Sequence, residues 1–280
     1  MNTLESQIFH YISESHASVS FRRLHRHFKQ AHQLEPEPLK QAVRCLVQAG
    51  RLCYRTDFGT SYLDISINGT VKVSEHVFLK PLRSASVARP GQWEVVLEEG
   101  ASFGRGDHPT TRLAIQLIDG LMHDGTWQKK GLTLTLDIGT GSGVLAIVAA
   151  KMGMGRVQAV DIDPCAVFEA RSNIRLNDVE KQVTLINDLK EVNKGCCDLI
   201  LANMRTPTLI ELLPRIVDMA ANDNVLIFSG MRTDEMDNLC DRYCEAGFFL
   251  MKMCSEKNWG AVFFARGGFR GDTGERISEY

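Results

Sequence analysis

Asp137, Gly139, Gly141, Gly143 and Asp161 carry the strongest chemical signal in this chain. The first four close the run LTLTLDIGTGSG at 132–143, and the helix-like stretch VLAIVAAKMG follows directly. Glycines at every second position let the backbone take positive φ and let a ligand lie against the main chain, with helix N–H groups aimed at it. A nucleotide-like ligand is expected there. Beyond the helix, RVQAVDID reads as a second strand whose first acid, Asp161, stands 22 positions after Gly139. A carboxylate at that strand end is placed to accept hydrogen bonds from both hydroxyls of a ribose.

Two cofactors use this arrangement, dinucleotides and S-adenosylmethionine, and the glycine spacing begins to separate them. A dinucleotide fingerprint G-x-G-x-x-G counted from Gly139 needs glycine at 144, where this chain has Val144, and the third glycine falls at 143 instead.

Two further segments bear chemistry. The stretch ASFGRGDHPTTRLAIQLI at 101–118 has a flexible loop at Gly104 and Gly106, a helix-starting Pro109, and Thr110 and Thr111 in the first turn. Ahead of a ligand-binding strand–turn–helix unit, such a loop can fold over the ligand. In CDLILANMRTPTL, Asn203 leaves a strand at the carboxyl edge of the sheet. Open α/β sheets bind ligands at that edge, so Asn203 is expected to face the cofactor or the group it modifies.

The elements around these residues define the fold class. From about residue 101 onward, helical and strand patterns alternate, which means a largely parallel sheet covered by helices on both faces. The closing FFLMKMC and WGAVFFA are short-linked and read as an antiparallel hairpin at the sheet edge. A dehydrogenase domain normally ends on a parallel strand. Seven strands with a final hairpin point to an α/β, Rossmann-like class I methyltransferase domain over 101–266. Residues 1–66 read differently, as three short helices and a hairpin around Asp57, Phe58 and Gly59 that resemble a winged-helix module. Residues 67–100 read as a β-rich connector, and 267–280 as a polar, Gly-rich flexible tail.

Composition sets the outer bounds. The 280 residues hold 32 Lys and Arg against 34 Asp and Glu, so nothing in the total asks for nucleic acid or an anionic membrane. The basic cluster Arg22, Arg23, His25, Arg26, His27 and Lys29 lies on the second helix of the first unit, and residues 1–70 hold eight Lys and Arg against six Asp and Glu. Protein docking is favoured there over nucleic acid. The amino terminus lacks a signal-peptide pattern and no apolar run is long enough to span a bilayer, so a cytoplasmic protein with no membrane contact is expected. The eight cysteines form no C-x-x-C pair and read as free thiols. Cys240 and Cys244 share a helix face, but no Cys or His pair lies nearby in sequence, and no metal site is expected.

Three stretches carry a family likeness. FGRGDHPTT resembles the loop FGTGTHPTT, DIGTGSGVLAIVAAKMG resembles DFGCGSGILAIAALKLG, and VDIDPCAVFEARSNIRLN resembles the segment that follows. With Asn203 and Trp259, they resemble the catalytic domain of the PrmA family, the bacterial methyltransferases that modify large-subunit ribosomal protein eleven, over roughly residues 90–266. The resemblance implies S-adenosyl-L-methionine as cofactor. It implies contact from Thr111, backbone approach at Gly139, and ribose binding by Asp161. Asp137 is implied as partner of the methionine amino group, and Asn203 as neighbour of the sulfonium or the incoming amine. Asp188 and Leu189, ending the third strand, are implied at the adenine. This chain departs from the pattern at Arg105 and Asp107, and in Met204-Arg205-Thr206, where the family has Ile-Leu-Ala. The family's amino-terminal recognition domain is a small α/β module, unlike residues 1–66.

An amine acceptor attacks a sulfonium methyl only when unprotonated, so a base, a water path or desolvation is needed beside it. Asp107, His108 and Asn203 are the candidates, with Asn203 as the orienting group and His108 as the candidate base. The expected activity is methyl transfer to a protein amine, with a ribosomal protein among the acceptors considered. The alternatives are methylation of nucleic acid or a small molecule, and a non-catalytic S-adenosylmethionine-binding protein.

Overall fold

The computed structural model describes residues 3–15, 18–32, 34–57, 60–65, 70–82, 88–98, 108–123 and 133–267. The hairpin tip at Phe58 and Gly59, the loop at 101–107 and the tail beyond Gly267 lie outside the described residues.

The first unit comprises α1 (Thr3–Ser13), α2 (Phe21–His32), α3 (Pro36–Gln48) and an antiparallel pair, β1 (Leu52–Asp57) with β2 (Thr60–Ile65). Apolar residues at helical spacing turn inward: Ile8, Ile12, Leu24, Phe28, Leu39, Val43 and Leu46 bury together with Leu52 and Leu63. The opposite face of α2 leaves Arg22, Arg23, Arg26, His27 and Lys29 exposed. Gly50, at φ +66, ends the third helix.

The β-rich stretch builds a small sheet of β3 (Val71–Lys72), β4 (Val77–Pro81) and β5 (Trp93–Leu97), in which β4 and β5 run parallel. Its inward residues Val73, Val77, Leu79, Val95 and Leu97 join the same core as the helices that follow, α4 (Pro109–His123) and α5 (Val144–Lys151). Two asparagines of α6 (Pro164–Leu176) and its cap fasten this sheet. Asn177 pairs with Val96 like a strand, accepting from its N–H (2.9 Å) and donating to its carbonyl (2.7 Å), while Asn173 accepts from Glu98 N–H at 3.0 Å. These side chains satisfy backbone groups of β5 that no further strand reaches.

The main sheet holds seven strands: β6 (Leu134–Ile138), β7 (Arg156–Val160), β8 (Val183–Ile186), β9 (Cys197–Asn203), β10 (Ala220–Arg232), β11 (Phe249–Glu256) and β12 (Trp259–Arg266). They are ordered β11-β12-β10-β9-β6-β7-β8, and only β12 runs antiparallel to both neighbours. The terminal hairpin thus lies at one edge, with β12 inserted between β11 and β10. Alternate residues serve opposite layers. Leu136, Ile138, Ile200 and Ala202 bury toward α7 (Thr206–Met219) and α8 (Met236–Glu245), while Leu199, Leu201, Val225 and Ile227 bury toward α4 and α5. Strand order reverses direction between β6 and β9, which opens a crevice at their carboxyl ends.

The turn of the last hairpin touches the first unit. Lys257 and Asn258 take φ of +52 and +68, the left-handed pair that suits a tight two-residue turn. The Lys257 side chain, 3% exposed, reaches Asp64 of β2, 1% exposed, with Nζ 2.5 Å from Oδ1. One residue earlier, Glu256 pairs with Arg112 of α4, whose Nε lies 3.1 Å from Oε2.

Candidate active site at the sheet switch point

The crevice between β6 and β9 is lined by residues that the strand ends deliver. Gly139, Gly141 and Gly143 all take positive φ, at +68, +56 and +83. Gly139 and Thr140 both donate to Val160 O, at 2.9 and 3.0 Å, which folds the turn back over β7. Gly143 caps α5, and a Cβ there would meet Ala170 of α6 at 3.3 Å. The helix can pack this close only because position 143 has no side chain. A Cβ at Gly139 would meet the Met204 side chain at 3.2–3.3 Å, so Met204 lies directly over the turn.

Asp161 organises the same loop. Its Oδ2 accepts from Gly141 N–H at 2.9 Å and its Oδ1 from Asp163 N–H at 3.0 Å. The next residue, Ile162, is 98% exposed, an apolar side chain held in solvent at the rim of the crevice. Asp137 is buried beneath the turn. Its Oδ2 accepts from Thr140 Oγ1 (2.6 Å) and Ala146 N–H (3.1 Å), whereas its Oδ1 has no hydrogen-bond partner. Burial pushes this carboxyl up to about 6 against the lowering effect of those two hydrogen bonds.

On the β9 side, Asn203 donates to Thr111 Oγ1 at 3.4 Å, and its buried Oδ1 has no partner. Thr110 and Thr111 are fully buried in the first turn of α4. His108 precedes that turn with Nδ1 2.8 Å from Thr110 Oγ1 and accepting from Thr110 N–H at 3.3 Å, so this nitrogen caps the helix. Its ring meets Trp259 edge-on at 4.8 Å. Trp259 is flanked by the guanidinium carbons of Arg205 and Arg232, 5.4 and 5.3 Å from its ring. Glu235 holds this wall, binding Arg205 (3.2 Å), Thr206 Oγ1 (2.7 Å) and Arg232 N–H (3.1 Å). Burial pushes the Glu235 carboxyl upward, but these donors and the Arg205 charge hold it below the usual range.

The expected residues therefore converge. Asn203 meets Thr111, Asp161 holds Gly141, Met204 packs over Gly139 and Asp137 lies beneath the turn, while Gly143 packs against α6 and His108 stands beside Trp259. Asp188 stands apart, past the end of β8. Its Oδ1 accepts from Lys190 N–H at 2.9 Å and caps its own short turn, and that hydrogen bond holds its carboxyl below the usual range. Arg105 and Asp107 fall outside the described residues.

Sequence reasoning missed Ser142 and Ser229, whose buried Oγ atoms have no partner; Trp259, which it named for the family likeness, is buried with its Nε1 unpartnered. Ser229 is the register partner of Asn203 on β10, a neighbour that only the strand order reveals. Native interiors leave few buried polar groups unpaired. Among the described residues Asp137, Ser142, Asn203, Ser229 and Trp259 supply five such atoms on the strand ends and loops of one sheet edge, while His25, Gln158 and Asn224 carry others elsewhere. That concentration is the mark of a site that completes its hydrogen bonds with a ligand.

Comparison with known proteins fits this geometry. A sequence model of the ribosomal protein L11 methyltransferase family (PrmA) matches residues 69–267. The chain belongs to the PrmA family. The match takes in the β3–β5 sheet as well as the strands around the crevice. Among PrmA relatives, the ribosomal protein L11 methyltransferase of Clostridium perfringens is 32% identical over 192 residues, covering 69% of this chain and 59% of the relative. That of Geotalea uraniireducens is 32% identical over 199 residues, covering 69% and 63%. The chain thus spans about three fifths of the length of the curated relatives it matches. The crystal structure of a ribosomal protein L11 methylase from Lactobacillus delbrueckii subsp. bulgaricus aligns with a TM-score of 0.62 at 26% identity, covering 71% of this chain and 98% of that one.

Proposed function

We propose that this PrmA-family chain is an S-adenosylmethionine-dependent methyltransferase acting on a protein amine. The observation that carries the reading is the set of unpaired buried polar atoms at the carboxyl edge around β6 and β9, beside a turn of three glycines at positive φ. Bound S-adenosylmethionine supplies a methyl group already activated by the sulfonium. In this reading Asp137 Oδ1 accepts from the methionine ammonium, the glycine turn receives the chain of the cofactor against its backbone, and Asp161 holds the ribose. Ile162 covers the adenine, and Asp188 and Leu189, just past the end of β8, lie toward its edge, with the Asp188 carboxylate itself committed to its turn and to Lys190. Thr111 and Asn203 stand at the reacting end.

The protein's part in such a transfer is orientation and exclusion of water. Asn203 Oδ1, fixed through its amide to Thr111, is placed to accept one N–H of an incoming amine and so aim its lone pair. Arg205 and Arg232, both near the Trp259 ring, add positive charge to this wall that disfavours an ammonium, while Glu235 offsets part of it at Arg205. Any proton transfer by His108 has to use Nε2, because Nδ1 caps α4. The relatives are named as ribosomal protein L11 methyltransferases, and a ribosomal protein is the acceptor class we favour. In that scheme residues 1–66 dock the acceptor through a protein–protein contact. No helix among the described residues is long and apolar enough to cross a membrane.

The test is transfer of labelled methyl from S-adenosylmethionine into a lysate, followed by separate protease and nuclease digestion. Label released by protease and retained after nuclease supports the proposal. Nuclease-sensitive label overturns the protein acceptor, and cofactor binding by calorimetry without any transfer overturns the catalytic reading.

A further inference from the structure

Far from the crevice, at the carboxyl end of α4, three side chains with metal-binding atoms converge. His76 comes from the turn between β3 and β4, and Asp119 and His123 lie one helical turn apart on α4. The ligand atoms of the three fall within 4.8 Å of one another. His76 Nδ1 and His123 Nδ1 each stand 3.0 Å from Asp119 Oδ1. The two imidazole rings are stacked, with centroids 3.7 Å apart and planes within 10°, so both present the same nitrogen to one carboxylate.

We propose that His76, Asp119 and His123 bind a divalent transition-metal ion of the zinc class, with water in the remaining position. Two imidazole nitrogens and one carboxylate are a donor set that suits zinc and its neighbours rather than magnesium or calcium. Tetrahedral bonds of about 2.0–2.2 Å separate adjacent donors by roughly 3.4 Å, so the ion enters as the stack opens: the rings turn until both Nδ1 lone pairs meet at one point, and His123 Nδ1 leaves the Asp119 carbonyl oxygen that now stands 2.9 Å from it. Each neutral ring moves its proton from Nδ1 to Nε2 as the nitrogen lone pair turns to the metal, and no proton is lost.

The surroundings are built for this. Asp119 is 4% exposed, and its Oδ2 accepts from the backbone N–H of His76 at 3.2 Å, which fixes the carboxylate independently of either ring. His76 is in turn held by the strand register, its carbonyl accepting from Trp93 N–H at 2.8 Å. The His123 side chain is 38% exposed, which leaves a path for the ion and for its water. The site lies in the last turn of α4, where the helix dipole favours positive charge. A bound ion clamps the β3–β4 turn onto the helix whose first turn carries Thr110 and Thr111. Trp93 stands edge-on to both rings, at 6.3 and 5.9 Å, and reports on the site.

The test uses the full chain, stripped with a chelator and titrated with Zn2+ or Co2+. One equivalent of either is expected to bind, raising the Tm. Co2+ should quench Trp93 and give visible bands without the sulfur charge-transfer absorption that cysteine ligation produces. His123→Ala, at an exposed position that leaves folding intact, is expected to weaken binding at least about tenfold, and Asp119→Asn to do the same. A hundredfold excess of Mg2+ should displace nothing. Absence of stoichiometric uptake, binding by His123→Ala as tight as wild type, sulfur charge-transfer bands or displacement by Mg2+ overturns the proposal.

Discussion

Asp137 offers the most exacting test of the crevice, because its two oxygens lead different lives. Oδ2 is engaged by Thr140 and Ala146, while Oδ1 is buried with nothing to bind. Burial moves this carboxyl from an ordinary 3.8 to about 6. At about 1.4 kcal/mol for each tenfold, the folded chain disfavours the ionised form by about 3 kcal/mol. A ligand ammonium at Oδ1 restores the charged state, so binding must take up the cost of ionising Asp137 wherever the free protein holds the proton. Cofactor affinity is therefore expected to fall about tenfold between pH 7 and pH 5, with release of close to one proton per binding event at the lower end. The α-amino group itself titrates higher, near 7.7–8.0, and stays charged across this window. Calorimetry in buffers of different ionisation enthalpy measures both quantities. Asp137→Asn should bind weakly and show no such slope. A wild-type affinity that is flat from pH 5 to 7, or the same slope in Asp137→Asn, refutes the reasoning. The free protein supplies a second reading of opposite sign. The folded state keeps this proton to higher pH than the unfolded chain, so the stability Asp137 contributes is complete below pH 3.8 and is lost as pH rises to about 6. Asp137→Asn should remove that decline from urea-melt stabilities.

Four other substitutions probe separate parts of the structure. Asp161→Ala should weaken cofactor binding by about 1–3 kcal/mol in calorimetry, through the loss of hydrogen bonds to a charged acceptor, and unchanged affinity would show the acid to be misassigned. Gly143→Ala should cost about 1–2 kcal/mol in denaturant melts, since φ is +83 and the new Cβ would press on Ala170. Gly230→Ala should cost more, because its Cβ would stand 2.5 Å from Met204 O, and a smaller loss than at 143 would contradict the geometry. Lys257→Ala should destabilise by more than the roughly 1 kcal/mol of an exposed pair, since it strips the buried Asp64 of its ammonium, whereas Lys257→Met with Asp64→Leu should recover most of it. A single change costing under about 1 kcal/mol would mean that the pair is solvated.

What could be read from the sequence follows contact distance along the chain. The glycine turn, its strand and helix, and Asp161 form a local unit whose conformational needs are written in residue types, and Pro109 and Gly50 mark helix ends directly. Asn203 was legible because an apolar strand ends on a polar residue. Ser229 was not, since its role depends on β10 lying beside β9. The 67–100 stretch read as β-rich, but the parallel pairing of β4 with β5 joins residues 16 positions apart, and the strand-like capping by Asn173 and Asn177 rests on contacts 75 and 81 positions apart. His76 and Asp119 are separated by 43 positions, so no ligand spacing announced them. Asp188 read as a site residue from its strand end, while its carboxylate serves first as a cap.

The two-residue turn at Lys257 and Asn258 gathers three distant attachments within four positions: Glu256 to α4, Lys257 to β2, and Trp259 to the rim histidine of the crevice. Glu256 and Trp259 are held by the register of β11 and β12, so inserting or deleting one residue in the turn would redirect Lys257 first, away from Asp64. Surface turns normally absorb changes of length with little effect. This one carries the buried ion pair to the first unit, so a change in its length would loosen that unit while leaving the sheet intact.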